Sequence, residues 1–554
     1  MSHKVDPSSS IDRYSINVMP FTNVCRNMNC QGQSLDIVFS RTGHIANLNS
    51  MEPCSIYTST CRHCKCVYGP SSILDSHNNQ RIITTQSIQD IDYVYFSGDL
   101  VYSRHLLAMF SNSLIHAHTT FQGFAESYIS TLVDLDANQT SIYSANTFGK
   151  RLEIIWLYYE LSRFIFVTSC ETSISFPKSF QPEARPIFIE QNLPFIFHIF
   201  TVFWSNHRML NGIKCKEKLC SRVMLIDGHQ KCQRIICQFE NLINMNHPEM
   251  GPVVQGCPYA PNRKKKNEKG NDQSVFYCSH HAKYVDMTKN GEQHHTNQYE
   301  EANKIDQQTI AELNNEDMCN VYRSDIRTDQ KNRSFGLLVT FLSCNVVVGF
   351  TESIKSEGCR RVTDHLLTML KSGANLSDVL FYDNACALRL HWNKVLDTKY
   401  LAKNEFTNKL YNLLLVLDRF HRKGHTRPMC RKMMNPDDDR YGTKFKNINI
   451  SVCEQFFSFL TKFRCSLRGF NYPTSTLFSL LLSHLKNCHT TGIKQNAFGL
   501  GRCYFADKIK LHFISDCIFE SVQFNLNEKR EDLTKKNNVK NNLLTKNMMN
   551  KNTM

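Results

Sequence analysis

The stretch FGLLVTFLSCNVVVGFTESI, residues 335–354, decides the fold. Two apolar, β-branched runs flank the polar Ser343–Asn345, which predicts two strands joined by a turn. RRVTDHLLTMLK (360–371) follows, with Val362, Leu366, Met369 and Leu370 at helical spacing and Gly373 as its stop. DVLFYD (378–383) reads as a short buried strand ending in Asp383, with a helix from about Ala385 to Leu396. LYNLLLVLD (410–418) reads as another buried strand, ending in Asp418. A long helix is expected from near Val452 and a further one over Thr474–Lys486. The order strand, strand, helix, strand, helix, strand, helix is an α/β pattern. Upstream, VMLID (223–227) is a short apolar run closed by Asp227-Gly228.

The whole chain has 554 residues, 41% of them hydrophobic, enough for one large core or several ordinary ones. Lys plus Arg number 65 against 50 Asp plus Glu, a net charge of +15 that favours an anionic partner, commonly nucleic acid. The most apolar segment, Pro186 to Trp204, is interrupted by Glu190, Gln191, Asn192, Pro194 and His198, so no membrane span is expected. The opening MSHKVDPSSS lacks the apolar core of a signal peptide, and an intracellular, reducing setting follows as an expectation. The 23 cysteines then read as metal ligands where they pair at short spacing with His nearby. The scattered Cys170, Cys344, Cys465 and Cys488 read as small buried hydrophobes.

Strand ends in α/β sheets are where functional groups converge, and two of these strands end in aspartate: Asp227 before Gly228 and Asp383 before Asn384. Such a pair suits two Mg²⁺ ions, which favour a few carboxylate oxygens with water and substrate phosphate. A third carboxylate on a helix would complete the set, and Glu454 in SVCEQFFSFLTKF is the candidate. At 100° per residue Val452, Phe456, Phe459, Leu460 and Phe463 share one face, while Glu454 lies opposite with Ser458 and Thr461. A lone Asp-Gly more often marks a turn, and an acid near a helix start also favours the helix dipole. In DRFHRKGH (418–425), Asp418 and His421 are ligand-type residues just past a strand, and His421, His425 and Cys430 have zinc-compatible spacing. Cys25-x4-Cys30 and Cys61-x2-Cys64 supply four thiolates for a tetrahedral zinc site, with Cys54 or Cys66 as alternates.

The ordered blocks DNAC (383–386), DRFHRKGH (418–425) and SVCEQFFSFL (451–460) resemble the Kyakuja-Dileera-Zisupton (KDZ) transposases. The cysteine pairs at 25, 30, 61 and 64 resemble one of the clusters that accompany that group, and Cys237, Cys257, Cys278 and His281 resemble another. The resemblance covers about 21–70 and 200–490. It implies a ribonuclease H-like (DDE-type) core whose acidic triad is Asp227, Asp383 and Glu454, with Asp418 and His421 as the D-x-x-H signature. Asp317 and Asp325 are alternatives for the first acid. In the second cluster His280 is an alternate to His281, as are Cys215, Cys220 and Cys232 among the thiols.

The expected organisation is a flexible arm (1–20), a Cys-rich zinc-ribbon-like module (21–75) and a mixed helical and β segment (76–214). The α/β, ribonuclease H-like core follows (215–490), carrying a Cys/His-rich insertion at about 232–285, then a basic disordered tail (527–554). Structural Zn²⁺ is expected at the cysteine clusters and catalytic Mg²⁺ or Mn²⁺ at the carboxylates. Arg62, Lys65 and Arg263–Lys266 offer phosphate contacts, and the RKKK run also reads as a nuclear-import signal. The expected function is two-metal cleavage and strand transfer on DNA, in the nucleus, with a homo-oligomer allowed for. The alternative is a domesticated, non-catalytic DNA- or chromatin-binding zinc protein.

Overall fold

The computed structural model describes residues 16–505 apart from 31, 90, 136–141, 179–183, 211–214, 216–219, 240–241, 263–264, 267–271, 274–275, 282–297, 299, 306, 309–332 and 355–357. Asp317, Asp325, Arg263, Lys264, most of the arm and the basic tail lie outside the described residues. The chain divides at residue 500 into two units, and the second is described only through the short helix Arg502–Phe505.

The N-terminal half is built on a nine-stranded sheet: β1 (Ile16–Val18), β2 (Asp36–Ala46), β3 (Met51–Thr60), β4 (Val67–Tyr68), β5 (Ile73–Asp75), β6 (Gln80–Thr84), β7 (Tyr93–Val94), β8 (Leu100–Ser103) and β9 (Ser173–Pro177). The order is β7-β8-β2-β3-β4-β5-β6-β9, with β1 against β3. The sheet therefore runs well past residue 75, because β9 returns after the helices to pair with β6, Gln80 opposite Pro177. The helices are α1 (Thr85–Gln89), α2 (Arg104–Ala117), α3 (Phe121–Leu135), α4 (Ala145–Thr168) and α5 (Ala184–Ser205). Ser103 and Ser144 cap α2 and α4 by accepting from Leu106 N and Thr147 N. The helices pack around Trp156, whose indole meets Phe110, Phe121 and Phe478 edge-on at 5.4–5.9 Å. By length and composition alone α5 is able to cross a membrane, but most of it is buried within the protein, as in a core helix.

The central sheet has five strands: β10 (Met224–His229), β15 (Gly336–Leu342), β16 (Val346–Ser353), β17 (Val379–Phe381) and β18 (Leu414–Val416), in the order β16-β15-β10-β17-β18. Between β10 and β15 the chain makes an excursion containing two small ribbons, β11 (Ile243–Asn244) with β12 (Val253–Val254) and β13 (Lys265–Lys266) with β14 (Asp272–Gln273). β15 runs antiparallel to both β10 and β16, whereas β10, β17 and β18 are mutually parallel. The β15–β16 turn falls at Ser343–Asn345, with Asn345 at φ +63°. Gly336 admits no side chain: a Cβ there would lie 2.0 Å from the His229 carbonyl oxygen, at φ +148°.

Helices beside this sheet include α6 (Cys359–Lys371), α7 (Ala385–Val395), α8 (Glu405–Tyr411), α9 (Val452–Thr461) and α10 (Thr474–Thr491), and α5 packs on β16. The Asn487 side chain on α10 accepts from Val347 N (2.9 Å) and donates to Val347 O (2.7 Å), pinning the edge of β16. Two expectations shift. The strand ending at Asp418 begins only at Leu414, because Asn404 and Thr407 form a capping box that starts α8 at Glu405. The helix from Val452 stops at Thr461, and Phe463 precedes a separate turn of helix, Arg464–Gly469.

Candidate active site and metal centres

Leu225, Phe381 and Val416 stand side by side in the parallel strands β10, β17 and β18. Two residues on from each is an aspartate: Asp227, Asp383 and Asp418. Side chains two apart on a strand share a face, so the sheet aligns three acids at one level from three distant parts of the chain. Asp227 accepts a hydrogen bond from Gly228 N and Asp383 one from Asn384 N, both 2.7 Å. Each is held through one oxygen by the next backbone amide. Asp418 accepts from Phe420 N (3.0 Å) and pairs with His421 Nδ1 (3.1 Å).

Glu454 reaches the same place from α9. That helix buries Val452, Phe456, Phe459 and Leu460, and leaves Glu454 and Ser458 exposed. It docks on β10 through His229, which stacks on Phe457 at 4.5 Å and bonds Thr461 Oγ1 at 3.1 Å. Asp227, Asp383, Asp418, His421, Cys453 and Glu454 line one narrow cleft that opens to solvent.

The electrostatics of the cleft are those of crowded acids. Burial, and then the Asp383 charge, push Asp227 up to about 8. Burial also raises Asp383, against the nearby His421. The hydrogen bond to Asp418 lifts His421 to about 9, so its imidazole is cationic at neutral pH. A divalent cation would relieve the repulsion among the acids, and their hard oxygens suit Mg²⁺ or Mn²⁺.

The thiols assemble separately. Ligand atoms about 2.3 Å from a zinc ion lie about 3.8 Å apart at the corners of a tetrahedron. In the N-terminal sheet Cys61 and Cys64 sit in the β3–β4 turn, where Lys65 takes φ +58°, and Cys25 and Cys30 sit in the β1–β2 connection. Cys25 Sγ lies 3.6 Å from Cys64 Sγ, and Cys61 Sγ 3.8 Å from Cys30 Sγ. Cys66 packs beside this group, whereas Cys54 belongs to a different cluster with Ile45 and Val101. In the excursion between β10 and β15, Cys257 Sγ is 3.8 Å from Cys278 Sγ, and His281 Nδ1 is 3.6 Å from Cys237 and 3.3 Å from Cys278. His281 rather than His280 completes this set, and Cys232 stands apart, bonding Leu460 O. Both groups have the donor chemistry and spacing of structural zinc sites.

Two further groups were not legible from local spacing. Cys215 and Cys220 join His207 and Cys344 rather than the cluster in the excursion. His207 Nδ1 bonds the Trp204 carbonyl (2.8 Å), which turns Nε2 toward Cys220 at 3.2 Å and Cys344 at 3.5 Å. Cys344 is therefore not merely a small buried hydrophobe. Its partners lie over a hundred residues away in sequence, so no short motif announces them. The fourth group is Cys386, His425 and Cys430. His425 and Cys430 are two of the three residues whose spacing suggested zinc, but His421 faces the carboxylates and Cys386 takes its place.

Residues 14–132 match a family described as a CxC5 like cysteine cluster associated with KDZ transposases. The match spans Cys25, Cys30, Cys61 and Cys64, and supports kinship with KDZ transposase-like proteins on the same cysteines that carry the sequence resemblance. No curated protein and no solved structure matches the chain.

Proposed function

We propose that the chain is a DNA transposase-like protein whose central sheet is a ribonuclease H-like core, and that Asp227, Asp383 and Glu454 hold two Mg²⁺ or Mn²⁺ ions for phosphodiester chemistry. The observation that carries this reading is the convergence of Asp227, Asp383, Asp418 and Glu454 on one cleft from three parallel strands and a helix. The association of the CxC5 cluster with KDZ transposases supports it from an independent part of the chain.

The bound ions would lower the pKa of the attacking oxygen and offset charge on the leaving one. The protein's own groups do the positioning. The backbone amides of Gly228 and Asn384 fix one oxygen of each aspartate and leave the other for metal. The cationic His421, held by Asp418, stands where it can donate to a phosphate oxygen. Phe420, 79% exposed between these two residues, offers a face for an unpaired base. In the reaction a water oxygen bonds to phosphorus, the bond to the 3′ oxygen breaks, and a free 3′-hydroxyl is released. That hydroxyl then attacks a phosphodiester of the target strand, bonding to its phosphorus as the bond to the target's 3′ oxygen breaks and that oxygen leaves as a 3′-hydroxyl, with no covalent enzyme intermediate.

The test is Mn²⁺-dependent nicking and joining of DNA carrying the ends that flank the gene, compared with Asp383→Ala and Glu454→Gln. Cleavage abolished in both variants supports the reading. Absence of cleavage in the parent, with salt-sensitive DNA binding retained in all three, favours the domesticated binder instead.

A further inference from the structure

We propose that Cys386, His425 and Cys430 form a zinc site that clamps together the two loops bearing Asp383 and the Asp418–His421 pair. All three side chains are buried. Cys386 Sγ lies 3.4 Å from His425 Nδ1, and Cys430 Sγ 3.6 Å from the same nitrogen. Those separations are the sulfur–nitrogen edges of a tetrahedron with bonds of about 2.3 and 2.0 Å. Three protein ligands leave a fourth position, which water takes in three-ligand zinc sites.

The placement gives the site its purpose. Cys386 is the second residue of α7, three residues after Asp383, and His425 follows His421 by four residues. The same two loops thus present carboxylates and a histidine on one side and thiols and a histidine on the other. The chain from Arg419 to Gly424 has no buried residue and only a short 3-10 turn, His421–Gly424. Arg419 ties it to Asp437 and the Phe445 carbonyl, Arg422 ties it to Asn435 and Asp437, and a zinc ion on His425 and Cys430, the buried ligands that follow, would add a further anchor. The two donor sets also sort metals: thiolate and imidazole take Zn²⁺, while carboxylates take Mg²⁺ or Mn²⁺. Arg427 Nη1, 3.6 Å from Cys386 Sγ, donates to a thiolate whether or not metal is bound, so a metal-free Cys–Arg–His network is the competing account.

Zinc binding here stands on the thiol and imidazole geometry alone, while the positioning role rests on the phosphodiester reading of the cleft. The experiment uses the full chain produced with zinc, with metal content measured per chain. Cys386→Ser and Cys430→Ser should each lose one zinc relative to the parent, whereas Cys430→His, which keeps a ligand, should retain it. Unchanged zinc content in both serine variants overturns the site. Should the serine variants fail to fold, cobalt substitution decides: Cys430→His should lose one thiolate's share of the charge-transfer absorbance, and an unchanged spectrum overturns the proposal. Positioning is read from Mn²⁺ titration, which should weaken about tenfold in Cys430→Ser and recover in Cys430→His. Undiminished Mn²⁺ affinity in zinc-deficient Cys430→Ser overturns the positioning role. A parent that binds no Mn²⁺ overturns the cleft's metal chemistry and leaves the zinc count to stand by itself.

Discussion

The two sheets hold their functional groups in opposite ways. In the central sheet β17 and β18 are nearly all buried, and Met224–Ile226 of the adjoining β10 are buried and apolar, so packing fixes the strands; Asp227 sits within β10, and Asp383 and Asp418 lie just past β17 and β18. In the N-terminal sheet the first seven residues of β2 are exposed, with Ile37, Val38 and Phe39 at 44–54%. Beside that poorly covered end lie the paired cysteines of the β1–β2 and β3–β4 connections. Where burial supplies the order, the chain presents hard carboxylates. Beside the exposed stretch of β2 it presents soft thiols, themselves largely buried with Leu35, Tyr68 and Ile73, and a metal is expected to add to that order.

The largest effect should come from the cleft. Asp383→Ala and Glu454→Gln should lower Mn²⁺-dependent nicking by at least about a thousandfold, several kcal/mol of transition-state stabilisation, with the thermal midpoint little changed. A variant that nicks normally would erase the functional half of the contrast. Next, Cys61→Ser with Cys64→Ser, or removal of zinc, should unfold the cysteine end of the N-terminal sheet. Hydrogen exchange over 21–70 should accelerate about a hundredfold or more while β10, β15 and β17 stay protected. Equal loss of protection in both sheets would show that they do not differ in what holds them. A smaller effect is expected for Asn487→Ala, which leaves the Val347 N–H and C=O without their side-chain partner. Denaturant titration should show a loss of about 1–3 kcal/mol, because packing offers these groups no substitute.

The last effect concerns pH. Asp227 in the folded chain holds its proton up to about 8, while an unfolded aspartate releases it near 3.8. Below the lower value both states are protonated and this group's contribution is complete. As pH rises toward 8 only the unfolded state ionises, so the metal-free protein loses stability across that window. Asp227→Asn should flatten the fall and abolish the rise in melting temperature that Mn²⁺ gives the parent at pH 8. The same slope in parent and variant would remove Asp227 from the crowded set.

Much of the central sheet was legible because its signals are local. The apolar runs at 336–342 and 346–353 and the turn at Ser343–Asn345 are spelled out in contiguous residues. The exposed position of Glu454 was legible from helical period alone, since it lies opposite Val452, Phe456, Phe459 and Leu460. What escaped is what depends on distant partners. β9 joins the N-terminal sheet across four helices, and nothing in SISFP names β6 as its neighbour. Cys344 sits inside the hairpin whose reading opened the fold, yet the group it joins is made with the distant His207, Cys215 and Cys220. Cys386 was visible in DNAC, but its link to His425 and Cys430 needs β17 and β18 side by side.

The excursion between β10 and β15 carries a kinetic consequence. These adjacent antiparallel strands are separated by a detour that leaves at Ile235 and returns at Arg333, where the two residues bridge and Arg234 O accepts from Ser334 N. Arg234 also grips Glu352 through two nitrogens, at 2.6 and 2.7 Å, sealing the neck. An unstructured loop of that length raises the entropic cost of closure by about 0.6 kcal/mol for each doubling over an ordinary hairpin. Long sequence separation also slows the search for the pairing. Metal capture by Cys237, Cys257, Cys278 and His281 would cinch part of the detour before the strands meet. Zinc supply during synthesis would then govern how fast β10 meets β15 and Asp227 comes opposite Val339, a matter of assembly rate that survives even if the finished sheet no longer needs the ion.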